Sequence, residues 1–394
     1  MQQTITYSHK ELPIFILLLL ISFASVNAVL FTPALPNMVD YFGISESAGQ
    51  LSVTTFLAGY AIGQLLYGPL SNRYGRKCAI YIGVVIQIFS SLFCITAGLF
   101  HNYALLVVAR FFLAVGAGGG LKITITMVNE TYPPQIASQK ISLLMLAFAI
   151  TPGLGVALGG VLNSYFGWLS CFYACCVYGL LLLGLISQLP ETQFLRNLSA
   201  LKPRYLVKVY AHEFSNAKII AGGFLVGMCS CFIYLFATLS PFIAINQAGM
   251  SSVDYGFANL IPMVGLALGS LISAKLTKYF PVLSILKIGI TITILGVVLA
   301  GFFTYVQYPI LISLFVPMMI INMGEVMILA NASSRAICFA QDKAHGASVI
   351  NFIAITLATI TVLSAGTFNI TAIVLPGLYA ILCIITMIMY GVLK

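Results

Sequence analysis

The sequence predicts an all-α polytopic membrane protein: twelve transmembrane helices in two pseudo-symmetric six-helix bundles. Three observations carry this. The chain has 394 residues, of which 60% are hydrophobic and only 7% charged, and a soluble chain of that length would need a far larger polar surface. Apolar runs recur from end to end, and a hydrocarbon core of about 30 Å takes roughly 20 apolar residues per helical pass. The runs are continuous, not alternating, which selects helices over a lipid-embedded barrel. A polar, basic stretch then divides them into two equal sets.

The first run, near 14–34, follows Lys10 and contains the small-residue stretch SVNA, which resembles a signal-peptide cleavage site. The run continues to Pro33 and completes an even count, so it reads as a span. Further spans are expected near 48–70, 79–99, 103–126, 140–163 and 166–189. Residues 190–216, PETQFLRNLSALKPRYLVKVYAHEFSN, are polar and basic. Spans resume near 217–243, 254–274, 283–303, 308–332, 346–365 and 371–392. The expected domains are an N-terminal bundle over 1–189, a cytoplasmic linker loop over 190–216 and a C-terminal bundle over 217–394. The halves echo each other. Gly68 precedes a basic turn after the second span and Gly269 one after the eighth. Gly120 and Lys122 in the fourth span match Gly324 and Glu325 in the tenth at a similar depth. Such repetition is the layout of a secondary transporter with its site between the halves.

Net charge is +9, yet no soluble basic domain exists to grip nucleic acid. With the N-terminus inside, every Lys and Arg except Arg110 and Lys122 falls on a cytoplasmic segment, whereas Asp40, Glu46 and Asp254 lie at the outside. That asymmetry sets topology. It places both termini in the cytoplasm.

Several chemistries are excluded. The nine cysteines lie in spans or cytoplasmic turns. Cys171, Cys175 and Cys176 cluster without a His or carboxylate, so they read as small reduced apolar residues and no metal site is expected. All four histidines are placed outside the spans, which argues against membrane metalloprotease chemistry. GAGGGLKIT, 116–124, lacks the Gly-Lys spacing and preceding strand of a phosphate-binding loop and lies within an apolar helix. No cofactor is expected, the chain does not read as an enzyme, and transport must draw on a gradient.

GPLSNRYGRK resembles the loop motif of the major facilitator superfamily through Gly68, Leu70, Arg73, Gly75, Arg76 and Lys77. Asn72 stands where that family has Asp. The resemblance implies a latch on the cytoplasmic side, with Arg73 and Arg76 facing a carboxylate across the seam and Glu130 the nearest candidate. RFFLAVGAGGG, with Arg110 and Gly116, is similar to a fourth-span motif of the drug/proton antiporter branch. TPGLGVALGG is similar to its fifth-span antiporter motif through Pro152, Gly155, Gly159 and Gly160. There a Pro-Gly-rich stretch permits a bend and close packing against the other half. VLFTPALPNM, PET at 190–192, FIYLFATLSPF and AHGASVINF resemble bicyclomycin-resistance (Bcr/CflA)-like exporters. Those exporters often carry an acid in span one; here the region reads Asn27, Ala28, Val29.

Three charges lie well inside the spans: Arg110, Lys122 and Glu325. Each would cost roughly 2.5–3.5 kcal/mol facing lipid, so each is expected inside the protein. Lys122 and Glu325 are expected to face each other across the seam. Burial and a neighbouring lysine act in opposite senses on a glutamate's hold on its proton, which makes Glu325 the candidate proton carrier. Arg110, Lys122, Asn27, Phe232 and Tyr234 complete the candidate cavity. Its excess of cations favours an anionic or amphiphilic cargo, such as a drug, an endogenous metabolite or a carboxylate siderophore. The expectation is a monomeric, proton-coupled multidrug-type efflux antiporter of the bacterial inner membrane, with protons, substrate and lipid as its partners. Uptake or uncoupled facilitation of a small organic acid, and a non-transporting sensor on the same scaffold, are the alternatives.

Overall fold

The computed structural model describes residues 11–193, 198–340 and 343–393. His9, Lys10 and linker residues 194–197, which entered the sequence reading, lie outside them. Among the described residues the chain is helical throughout, without strands. The first half contributes α1 (Ile14–Phe42), α2 (Glu46–Tyr74), α3 (Arg76–Leu99), α4 (Tyr103–Thr131), α5 (Pro134–Phe166) and α6 (Ser170–Gln188). A linker helix, α7 (Pro203–Phe214), leads to the second half. That half contributes α8 (Ala217–Gln247), α9 (Ser252–Leu276), α10 (Val282–Tyr305), α11 (Leu311–Ile337), α12 (Lys343–Ala365) and α13 (Val374–Leu393).

Eleven of these are long and apolar enough to cross a membrane. The remaining expected span corresponds to α2, a 29-residue helix that carries buried Gln50, Ser52, Thr54, Gln64 and Ser71. Its polarity follows from its position. It packs on α4 within its own half and on α12 of the other, so protein rather than lipid surrounds much of it. The lipid-compatible residues lie elsewhere, for example Phe89, Phe93, Val108 and Phe112, all exposed on helices.

Local chemistry ends the helices. Ser45, Asn102 and Ser251 accept from backbone N–H groups at the starts of α2, α4 and α9, satisfying donors that have no partner within the helix. Several helices outrun their apolar windows, α5 most of all. It begins at Pro134, ahead of the expected 140, because backbone bonding continues past the apolar residues. His345 falls inside α12 rather than outside the spans. The GAGGG stretch does not continue as one helix: the α-helical run stops at Ala117 and restarts at Gly120. Tyr67 repairs the break by donating to Gly116 O at 3.1 Å.

Glycines set the close crossings, and the same crossings recur in both halves. A Cβ at Gly59 or Gly63 of α2 would meet the Phe111 and Val115 carbonyls of α4; one at Gly265 or Gly269 of α9 would meet those of Met319 and Met323 of α11. Gly83 faces Gly116 as Gly289 faces Gly324. The halves meet along α2 with α12 and α5 with α9.

Candidate functional site

At the linker end, Gly75 joins α2 to α3. Its φ of 101° lies where L side chains rarely go. The turn places Arg76 first in α3, nearly buried. Arg76 Nη2 lies 2.7 Å from Glu130 Oε1. Nη1 donates to Ser71 Oγ at 2.8 Å and to Asn72 Oδ1 at 2.7 Å. Asn72 therefore keeps the acceptor that an Asp would offer, without its charge. Glu191 accepts from the backbone N–H groups of Arg76 (2.9 Å), Lys77 (3.1 Å), Thr192 (3.1 Å) and Gln193 (3.0 Å). A carboxylate at a helix start meets both free N–H groups and the positive end of the dipole. Thr192 donates to Glu130 Oε2 at 2.6 Å.

Every member of this network belongs to the first half or the start of the linker. The expected latch across the seam is thus corrected to a clamp within the first half, because Glu130 ends a helix of the same half. Arg73 stands apart, with its guanidinium 5.3 Å from the Tyr74 ring centroid. Gly68 faces Lys122 instead: a Cβ there would come 2.8 Å from Lys122 Nζ.

Arg110 is fully buried in the first half. Its Nε donates to Ser52 O at 3.2 Å and its Nη1 to Asn27 O at 2.9 Å. The Phe31 and Phe56 rings lie 4.6 and 4.5 Å from its Cζ. Backbone carbonyls and aromatic faces thus carry this charge. Asn27 belongs to the same core: Nδ2 donates to Phe23 O at 2.7 Å, and Oδ1 accepts from Gln87 Nε2 at 2.9 Å. Gln87 also reaches Ser91 Oγ and Cys175 O. Arg110 and Asn27 therefore knit α1, α2, α3, α4 and α6 together.

Lys122 and Glu325 do not meet. Lys122 Nζ bonds Ser348 Oγ of α12, so it does cross the seam, but to a hydroxyl. Both carboxyl oxygens of Glu325 are buried without a hydrogen-bond partner. The repeated glycine crossings explain the miss. Gly116 and Gly324 are equivalent; Lys122 lies six residues past the first, Glu325 one past the second. A five-residue offset is about 7 Å of depth at about 1.5 Å per residue, and a different face. The titratable side chains around Glu325 are Cys229 and Cys231 of α8 and Tyr379 and Cys383 of α13.

The glycines of α5 divide their work. A Cβ on Gly159 would overlap Leu30 O of α1, and one on Gly155 would press on Val29, so both pack within the first half. The packing against the other half expected for Gly155 and Gly159 is corrected accordingly. Gly160 meets Ser252 and Gly256 of α9, and Gly153 meets Met263; these form the contact with the other half. The helix runs through Pro152 unbroken.

Phe232 is not a cavity wall. Its ring lies 4.8 Å from that of Tyr379, inside the second half. Tyr234, two residues on, faces the first half, where Tyr60 is its neighbour. At the end far from the linker, Asn163 Nδ2 donates to Ser252 Oγ at 3.0 Å and Asn246 Nδ2 to Glu46 Oε1 at 3.0 Å. At the linker end Tyr210 donates to Leu65 O at 3.1 Å. The halves are thus bonded directly at the far end, and toward the linker end by Lys122 on Ser348, with the linker helix tied to α2 beside it. The two best-formed cavities among the described residues offer about 20 and 10 Å³, far below the several hundred of a drug-sized site.

Sequence reasoning passed over Gln87, Glu191, Asn163, Tyr60 and Tyr379. Gln87 and Ser91, spaced four apart in an apolar run, carried a legible signal. Glu191 stood in the quoted PET stretch without a role. The others had none.

Long apolar helices, a repeated set of helix crossings and charges held inside the bundle define a polytopic membrane transport protein. The sequence pattern described as Major Facilitator Superfamily matches residues 17–362, and the chain belongs to that superfamily. It is 27% identical to an uncharacterized transporter of Rickettsia felis, over 81% of this chain and 80% of that one. It is 26% identical to the chloramphenicol resistance protein CraA of Acinetobacter baumannii, over 82% and 78%. It is 28% identical to the multidrug transporter MdfA of Edwardsiella ictaluri, over 69% and 66%. A crystal structure of a D-xylose-proton symporter shares the fold, with a TM-score of 0.78 over 97% of both chains at 15% identity.

Proposed function

We propose that this protein exports a small molecule across a bacterial inner membrane by alternating access, in exchange for protons, with both termini in the cytoplasm. The bundles over 1–189 and 217–394 rock about the seam formed by α2, α5, α9 and α12. The observation that carries the coupling is Glu325, a buried carboxyl with neither oxygen bonded. An ionised carboxylate in such a place costs several kcal/mol, and taking up a proton removes that charge. Gaining and losing it changes the packing of α8, α11 and α13. The relatives named as multidrug and chloramphenicol resistance transporters support the outward direction.

Lys122 is the cation at the seam, and Tyr60 and Tyr234 are the aromatic neighbours across it. They suit an anionic or amphiphilic cargo. Arg110 and Asn27 hold the first half rigid rather than binding cargo. Uncoupled transport is the second reading, favoured by Asn27, Ala28 and Val29 where relatives of the resembled type often carry an acid.

Proton-gradient-driven flux in proteoliposomes separates the two. Glu325→Gln should still bind substrate and lose at least tenfold in gradient-driven flux. Unchanged pH dependence in that variant would reject Glu325 as the carrier.

A further inference from the structure

The larger cavity does not lie in the seam. It lies within the second half at the end far from the linker, between α10, α11 and α13. About 20 Å³ is open to the centre of a water molecule; one water needs roughly 10–15 Å³ and two to four polar partners. Thr304, Ser313 and Tyr379 are its polar lining residues. Ala372, in the connection leading into α13, also lines it and is exposed. Its inner wall is Ile321, one helical turn before Glu325.

Tyr379 is 2% exposed. Its hydroxyl donates to Phe232 O at 3.2 Å and lies 3.6 Å from Met318 Sδ. Met318 and Ile321, which line the cavity beside it, lie seven and four residues before Glu325, so the carboxyl follows them on the same face of α11. The groups that face Glu325 from the packed helices are this tyrosine, Cys383, Cys229 and Cys231. Of these, Tyr379 alone also lines the cavity.

We propose that protons reach Glu325 from the far face through the second half itself, by way of this cavity and the Tyr379 hydroxyl, and not through the seam that passes substrate. Tyr379 hands its hydroxyl proton to the Glu325 carboxylate as it takes one from a hydronium ion that has entered the cavity; the hydronium leaves as water, and the tyrosine is neutral before and after. Such a route keeps proton and cargo on separate paths while the halves are closed against each other. It rests on the reading of Glu325 as a group that takes up protons, but not on that uptake driving transport.

The test is infrared spectroscopy of the full-length protein in lipid, reading hydrogen–deuterium exchange at one carboxyl. The carboxylic C=O band of Glu325 is identified by its loss in Glu325→Gln. On a switch to D2O it should shift at least tenfold more slowly in Tyr379→Phe. It should slow similarly in Ala300→Leu, which fills the cavity wall without touching Tyr379's hydroxyl. Either variant showing the slowing while melting like the wild type supports the route. Unchanged exchange in both, or no Glu325 band at any pH, overturns it. So does a slowing found instead in Tyr60→Trp, which narrows the seam. If exchange depends on Tyr379 while Glu325→Gln keeps gradient-driven flux, the route stands and the coupling reading fails.

Discussion

Arg76 and Arg73 occupy the same short loop yet should behave differently when replaced. Arg76 holds Glu130, Ser71 and Asn72 at once. Hydrogen bonds to charged groups contribute about 1.5–3 kcal/mol each when a buried partner is left behind. Arg76→Ala should therefore lower stability by about 2 kcal/mol, read as an earlier melt in detergent. A double-mutant cycle with Glu130→Ala should show the two losses are not additive. Arg73→Ala should stay within about 0.5 kcal/mol, as surface changes usually do. Equal losses for the two arginines would reject the clamp. Glu191 makes the same case without a salt bridge. Glu191→Ala frees four backbone N–H groups and should cost about 1–2 kcal/mol, with Glu191→Gln recovering part of it.

At the scale of helices, neighbouring glycines of α5 serve different contacts. Gly159 lies against the Leu30 carbonyl of α1 and Gly160 against Ser252 of α9. Gly159→Leu should disturb the first half itself and lower the amount of protein in the membrane. Gly160→Leu should leave abundance near wild type and cut flux at least tenfold, because it keeps the halves from closing at the far end. Labelling of a cysteine introduced at Asn163 should then rise. Full transport by Gly160→Leu would remove α5 from the seam. The Pro-Gly pattern of TPGLGVALGG was legible in the sequence as a close-packing stretch. Which glycine met which helix was not, since adjacent residues point about 100° apart around the axis.

For the whole molecule, alternating access requires the bonds at each end to break in turn. Asn163 and Ser252 bridge the halves at the far end with a 3.0 Å bond. In a background lacking the nine native cysteines, Asn163→Cys with Ser252→Cys should cross-link on oxidation. Flux should fall at least tenfold and return on reduction. Flux that survives the cross-link would show that this end stays shut during transport. Lys122→Ala, at the opposite end of the seam, should weaken binding of anionic cargo several-fold more than binding of neutral cargo, measured by competition.

Composition and the spacing of apolar runs determined by themselves that this chain is a helical membrane protein, and the basic loop and the glycine motifs carried its resemblance to the major facilitator superfamily. Hydrophobicity and charge are summed over local sequence, so they survive errors of a few residues in any boundary. The partners of single side chains do not. Phe232 and Tyr234 differ by two residues, yet one packs inside the second half on Tyr379 and the other faces Tyr60 across the seam. Lys122 and Glu325 looked equivalent in order, but the paired glycines at Gly116 and Gly324 place them about 7 Å apart in depth. Arg76 pairs with Glu130 inside its own half and not with a group across the seam. Depth, rotation and the choice of half are properties of how helices pack, and only the tertiary structure decided them.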